Sequence, residues 1–196
     1  RVEEILTSPA ELTFFKTYTL NNKEILKGIS YINNDTVNAN TNDPWSNVKE
    51  IYSTQKVGGG SSRVIGGAVI GYTNNPSRST EIFNEYKKYF PADIKIAFGY
   101  FPEDKQKKTF QIYALQKEKE SEDGSVLSGD IILDASSRMN EGQYEVVMTM
   151  NDDPARDWSK ITKENKGSNI AIVLDGLVRS CPTVNQQITG GTSQIT

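Results

Sequence analysis

The sequence predicts an α+β fold. Three observations carry that expectation: several short runs in which apolar and polar residues alternate, two amphipathic stretches each opened by a proline, and an Asp175-Gly176 dipeptide between two apolar runs. Hydrophobic residues make up 36% of the 196, enough for one core or two small ones. Mean hydropathy is −0.54, and no apolar run approaches the ~20 residues of a membrane-spanning helix, so none is expected within this segment.

In chain order, residues 2–6 have the pattern of a helix tail stopped by Pro9. Leu12, Phe14 and Tyr18 mark an alternating run that predicts a strand. Residues 21–62 are rich in Asn, Asp, Thr, Ser and Gly and close on Gly58-Gly59-Gly60-Ser61-Ser62. They predict a long mobile insertion, with a short apolar exception at Trp45, Val48, Ile51 and Tyr52. Residues 64–72 are β-branched and glycine-spaced, a strand in which Gly66, Gly67 and Gly71 permit close backbone approach.

Asn75 as cap and Pro76 at the first helical position open the clearest helix, whose Ile82, Phe83, Tyr86, Tyr89 and Phe90 share one face before Pro91. Residues 94–100 and 109–115 predict an antiparallel strand pair joined by the charged loop 103–108 and covered by that helix. The mixed-charge stretch 117–123, ending at Gly124, predicts a linker. Strand patterning resumes at 131–133 and 144–150. Asp153 is expected to cap a second helix from Pro154, with Trp158 and Ile161 inward, Lys160, Lys163 and Lys166 near its negative end, and Gly167 as the stop. Residues 170–174 and 177–181, separated only by Asp175-Gly176, predict a hairpin with a type I′ turn.

Charge excludes further classes. The 25 acidic and 22 basic residues are interspersed, with a net charge of −3, so there is no basic footprint and no nucleic acid is expected as a partner. With no histidine and Cys181 as the single cysteine, imidazole base chemistry, a Cys-His pair, a thiolate zinc site and an internal disulfide are all excluded.

The run Asn169-Ile170-Ala171-Ile172-Val173-Leu174-Asp175-Gly176-Leu177-Val178-Arg179-Ser180-Cys181-Pro182-Thr183-Val184, followed by Ile188-Thr189-Gly190-Gly191-Thr192-Ser193-Gln194-Ile195, resembles a known signature. It is that of the first periplasmic domain of the SecD/SecDF protein-export family. Met148-Thr149-Met150-Asn151 before the Trp158 helix, the connector Ser128-Gly129-Asp130-Ile131 and the early Ala10-Glu11-Leu12-Thr13-Phe14-Phe15 are similar to the same family. The match is strongest over 128–196, lesser over 1–20 and weak in the glycine-rich middle. The signature's turn and loop residues are here Asp175, Gly176, Pro182, Gly190 and Gly191. Cys181 stands where the family usually has alanine and is read as a small packing residue.

The resemblance implies a split ferredoxin-like base of residues 1–20 and 128–196, lacking one strand that precedes residue 2 in the family. An α+β head of residues 21–127 would be inserted into it, carrying the Gly/Asn-rich loop. A start at Arg1 and an abrupt stop at Thr196 suit an excised fragment, with membrane segments expected in the flanks. The implied protein lies in a bacterial inner membrane with this part in the periplasm, and works with the SecYEG channel and with SecF or a fused SecF half. It would use the proton-motive force to help preproteins complete translocation, handling polypeptide without covalent chemistry. No catalytic residue, cofactor or metal is implied. Shifts from patterned strands to polar linkers at Leu20-Asn21 and Ser128-Gly129 mark hinge candidates between head and base.

Sharper readings compete with plainer ones. Gly58 to Gly60 lack the Lys-Ser or Lys-Thr of a phosphate loop, and a flexible loop is favoured. Asp152 and Asp153 sit where a helix begins, which favours a structural use over a catalytic pair. Asp130, Asp134 and Glu141 lack the ligand order of a calcium loop. The Ile82, Phe83, Tyr86, Tyr89, Phe90 face could be a polypeptide-contact surface, but a core stripe is favoured because one side of a helix must be buried, and exposure decides. Two other functions remain in play: a periplasmic domain of another resistance-nodulation-division exporter, and a carboxylate-dependent cell-envelope hydrolase. The hydrolase predicts Asp or Glu pairs converging in one cleft with raised pKa values.

Overall fold

A computed structural model describes residues 11–34, 54–57, 61–64, 67–100, 105–106, 108–140 and 143–195. The architecture is α+β. In chain order the elements are β1 (Leu12–Lys16), α1 (Lys23–Asn34), β2 (Thr54–Val57), β3 (Ser61–Val64), β4 (Val69–Thr73), α2 (Pro76–Tyr86), β5 (Ile94–Tyr100) and β6 (Phe110–Gln116). There follow β7 (Leu127–Ser128), β8 (Ile132–Asn140), β9 (Gln143–Met150), α3 (Asp152–Glu164), β10 (Ile170–Leu174), β11 (Leu177–Ser180) and β12 (Thr192–Ile195). Two compact units share them. Unit 1 takes the chain up to Lys16 and again from Ser125, and unit 2 is Thr17–Gly124.

In unit 2, β6 lies between β4 and β5, both antiparallel to it, with Ile94 opposite Gln116 and Tyr100 opposite Phe110. Two helices share the core with this sheet. Ile25, Ile29 and Ile32 of α1, Ile82 and Phe83 of α2, and Ile70, Ile94, Ile112 and Ala114 of the strands form one buried cluster with Leu20 and Phe90. Asn22 caps α1, its side-chain oxygen accepting from the N–H groups of Glu24 at 2.9 Å and Ile25 at 3.2 Å. Asn75 caps α2 by accepting from the Arg78 N–H at 3.0 Å, with Pro76 opening the helix.

In unit 1, β1 pairs antiparallel with both β10 and β7, and β10 continues into β11. A separate three-stranded sheet has β9 between β12 and β8. Phe14, Ile170 and Ile172 from the first sheet, Met148 and Met150 from the second, and Trp158 from α3 meet in one cluster that includes Val184. The Asp175-Gly176 turn is present, with φ of 51° and 76°, the two left-handed conformations that a type I′ hairpin demands. The Asp175 carboxylate also accepts from the Glu11 N–H at 3.0 Å while the Asp175 N–H donates to the Glu11 carbonyl at 2.9 Å, tying the hairpin to the start of β1.

Several expectations are corrected. The segment 21–62 is not wholly a polar insertion, because it contains the twelve-residue α1 and the strands β2 and β3, which pair antiparallel. The Ile25, Ile29, Ile32 spacing buries one helical face against the unit 2 core, and that burial outweighs the weak helix propensity of Gly28 and the β-branched residues. The strand expected over 64–72 is divided between β3, ending at Val64, and β4, starting at Val69. Helix α2 ends at Tyr86 and passes into a single 3₁₀ turn, Lys87–Tyr89, before Pro91. Helix α3 starts earlier than expected: Asn151 is the N-cap, so Asp153 is not the cap but lies in the first turn and pairs with Arg156. Pro154 is tolerated there because first-turn N–H groups need no helical acceptor. Residues 2–6, Pro9, Trp45, Val48, Ile51, Tyr52, Gly58 to Gly60, Gly66 and Glu141 lie outside the described residues.

Candidate functional site

The face of Ile82, Phe83, Tyr86, Tyr89 and Phe90, for which a core stripe is the favoured reading, is divided in the structure. Ile82, Phe83 and Phe90 are buried in the unit 2 core, with the Phe83 and Phe90 rings 5.1 Å apart, and Tyr86 is packed against the same cluster. Tyr89 leaves that core, stacking on Tyr31 of α1 at 3.9 Å between centroids. The 3₁₀ turn after Tyr86 breaks the helical register and sends Tyr89 to a different environment from Ile82.

The hinge candidates do not fall at the passages between units. Leu20 is 1% exposed in the unit 2 core and Asn21 adjoins the cap of α1, while Ser128 pairs with Thr13 in unit 1. Gly129 lies so close to Leu12 that an added Cβ would come within 2.5 Å of the Leu12 Cβ. The chain passes between the units at Lys16-Thr17 and Gly124-Ser125. At the second passage Gly124 adopts φ 80° and closes a turn, its carbonyl accepting from Glu118 N–H at 2.9 Å.

Unit 1 does contain a cleft, of about 560 Å³. Its floor is apolar: Met148, Trp158, Ile170, Ile172 and Val184. One wall is all of β12, Thr192 to Ile195, and the other is the loop 182–190 with Asn185, Gln186 and Gln187. Among the described residues no charged side chain lines it, in a chain whose charged fraction is 24%.

Each wall is held by specific bonds. Trp158 is fixed from two sides, its ring 5.4 Å from that of Phe14 and its indole N–H donating to the Ser193 hydroxyl at 2.7 Å, in a buried position. One turn on, the buried Thr162 hydroxyl donates to the Trp158 carbonyl at 2.8 Å and accepts from the Ile188 N–H at 3.0 Å, fastening the loop to α3. Gln187 reinforces this by donating to the Ser159 hydroxyl at 2.9 Å.

Two of the signature residues, Pro182 and Gly190, line this cleft. The Pro182 carbonyl accepts from Ile170 N–H at 3.1 Å. Gly191 has φ 67°, and a Cβ there would stand 3.1 Å from that of Ala155, so a side chain at this crossing of α3 would be both strained and tightly packed. Gly190 lines the cleft in open space. Asp175 and Gly176 form the hairpin turn and do not line it.

The arrangement is built for apolar contact and hydrogen bonding. Asp152 and Asp153 are exposed in the first turn of α3, and Asp134 is exposed on β8, so among the described residues no carboxylate pair converges in the cleft. Among the described residues no three Asp, Glu or Cys side chains gather as a metal site. Cys181 is partly buried, and its carbonyl accepts from the Asn169 side chain at 3.1 Å. Sequence patterning missed the β12 wall because Thr-Ser-Gln-Ile is too polar and short to read as a strand. The signal that was present is the uncharged run Asn185-Gln186-Gln187 beside the signature glycines.

Comparison with known proteins bears on this same region. A profile of the SecDF P1 head subdomain matches residues 102–196. The protein translocase subunit SecD of Rhodothermus marinus is 34% identical over 116 residues, covering 57% of this chain and 18% of that protein. The SecD of Acidaminococcus fermentans is 38% identical over 84 residues, covering 42% of this chain and 20% of that protein. The chain thus spans about a fifth of the length of these relatives. A solved SecDF structure from Thermus thermophilus is 17% identical with a TM-score of 0.37, covering 95% of this chain and 26% of that one. The family relation rests on the sequence matches. The profile runs across the Gly124-Ser125 passage and takes in 128–196, the residues expected to form a base, so the names base and head are not carried onto the two units. Residues 102–196 thus match the SecDF P1 head subdomain, and the chain is similar to SecD and SecDF subunits of the protein translocase.

Proposed function

We propose that this chain is a polypeptide-handling part of a Sec translocase accessory protein, placed in the periplasm and anchored in the inner membrane by segments beyond this chain. Among the described residues no helix is long and apolar enough to cross a membrane. The observation that carries the reading is the match of residues 102–196 to the SecDF P1 head, joined to an uncharged, apolar-floored cleft in the same residues. Unfolded preproteins present backbone amides and apolar side chains of no fixed sequence. A site with an apolar floor and an amide rim suits such a ligand better than an anion, a metal or a nucleotide.

On this reading the protein works beside SecYEG and SecF, or a fused SecF half, and draws on the proton-motive force through its membrane part. This chain contributes non-covalent capture and no catalysis. The motion that moves a captured segment would be taken up at Lys16-Thr17 and Gly124-Ser125, where the chain passes between the units. A split ferredoxin-like core is consistent with β1 meeting β10 from the far end of the chain. The uncharged lining of this cleft among the described residues favours capture over the hydrolase alternative, and the matched relatives, translocase subunits, favour export of proteins over the exporter alternative.

The test is depletion of the intact protein in its own cells, followed by pulse-labelling of a secreted preprotein. Signal-sequence removal should slow and recover when the wild-type protein is restored. Unchanged preprotein maturation on depletion would reject the export assignment.

A further inference from the structure

We propose that the cleft of unit 1 binds an extended, uncharged polypeptide segment as an added strand on the open edge of β12. The proposal deepens the polypeptide-handling reading and rests on it for the class of ligand.

The β12 edge is open by a specific pattern. Met150 N–H donates to the Gly191 carbonyl at 2.8 Å, which makes Gly191 and Met150 a bonded pair of the antiparallel ladder. Bonded and non-bonded pairs alternate, so Ser193, opposite Met148, also turns its backbone toward β9. Thr192 and Gln194, opposite Thr149 and Val147, therefore turn their N–H and C=O groups away from β9. Among the described residues no strand pairs with that second edge.

The cleft follows this edge. Successive side chains of a strand point to opposite faces, so a cleft touching all four residues from Thr192 to Ile195 borders the strand's rim and not one face. A repeating array of outward N–H and C=O groups is matched by another extended backbone, which identifies the ligand as polypeptide. Among the described residues the same cleft has no charged side chain, and a charged residue entering it would lose hydration without gaining a partner there. Side-chain amides of Asn185, Gln186 and Gln187 across the cleft each offer a donor and an acceptor and thus tolerate many sequences. Four residues of edge give few backbone bonds, which suits reversible binding.

The test uses the intact protein and a labelled short peptide alternating valine with threonine, with lysines only at its ends. In Gln194→Pro the outward N–H is removed while the ladder to β9 is spared. Peptide affinity should fall about ten-fold or more, the loss of one or two backbone bonds, and Gln194→Ala should stay within about two-fold. Circular dichroism checks that the proline variant is folded. Should it not fold, amide exchange in the wild type decides: peptide should slow exchange at Thr192 and Gln194 and leave Ser193 unchanged.

Peptide binding indifferent to Gln194→Pro, or no added protection at Thr192 and Gln194, would overturn strand addition. So would a photo-crosslinker at position 194 that captures only another segment of the same chain or a second copy. Those outcomes leave the export reading standing, whereas normal preprotein maturation without the protein rejects export and leaves strand addition to be judged by the peptide alone.

Discussion

At the scale of single residues, the cleft depends on one buried hydrogen bond. Ser193 is 2% exposed and accepts from the Trp158 indole at 2.7 Å, so Ser193→Ala leaves a buried N–H without an acceptor. We expect a loss of about 1–3 kcal/mol in urea denaturation followed by circular dichroism. A cost near zero would mean that the indole finds another acceptor. In unit 2, Tyr18 donates to the Asp93 carboxylate at 2.7 Å. Burial first, then this bond and the charges of Asp93 and Glu24, push the Tyr18 phenol well above its ordinary value. An acid whose folded pKa is raised contributes stability below its unfolded pKa and loses it as pH rises beyond. Tyr18→Phe should thus cost about 1–2 kcal/mol at neutral pH, with the difference from wild type shrinking above about pH 10. A difference constant from pH 7 to the alkaline limit of folding would contradict the assigned cause.

Among the elements, α1 offers the sharpest test, because propensity and packing predict opposite signs there. Gly28→Ala would raise helix propensity by about 1 kcal/mol. Yet the added Cβ falls 2.5 Å from the buried Phe90 ring, and overpacking of a filled core costs about 1–3 kcal/mol. The expected net outcome is destabilisation, read as a lower urea midpoint at unchanged m-value. A stabilised variant would show that Phe90 moves freely and that the α1 contact is loose.

For the whole molecule, two hydrophobic clusters among the described residues have no residue in common, one built on α1, α2 and the β4-β6-β5 sheet and the other on Phe14, Trp158 and the β9 methionines. Variants in separate cores should add. The double variant Gly28→Ala, Ser193→Ala is expected to lose the sum of the single losses to within about 0.5 kcal/mol. A coupling above about 1 kcal/mol in a double-mutant cycle would mean that the two sites interact through a shared network or backbone shift.

What the sequence determined by itself was local. The Asp175-Gly176 turn is a matter of two residues that accept positive φ, the opening of α2 follows from Asn75 and Pro76 alone, and the family signature is a contiguous string. Helix α1 was harder to read, although Asn22 and the Ile25, Ile29, Ile32 spacing were present, because Gly28 and the polar neighbours disguised a stripe that only the opposing sheet makes worth burying. The aromatic face of α2 looked ambiguous for the same reason, since whether Phe83 and Phe90 are core or surface depends on α1 lying over them. Tertiary structure alone decided the cleft. Its floor joins Ile172, Met148 and Trp158 from three elements, its wall is a strand too polar to recognise, and its edge is open because, among the described residues, β12 has a strand, β9, on one side only. Turns and caps are satisfied within a few residues, whereas a cavity and an unpaired edge are properties of what distant segments cover and leave uncovered.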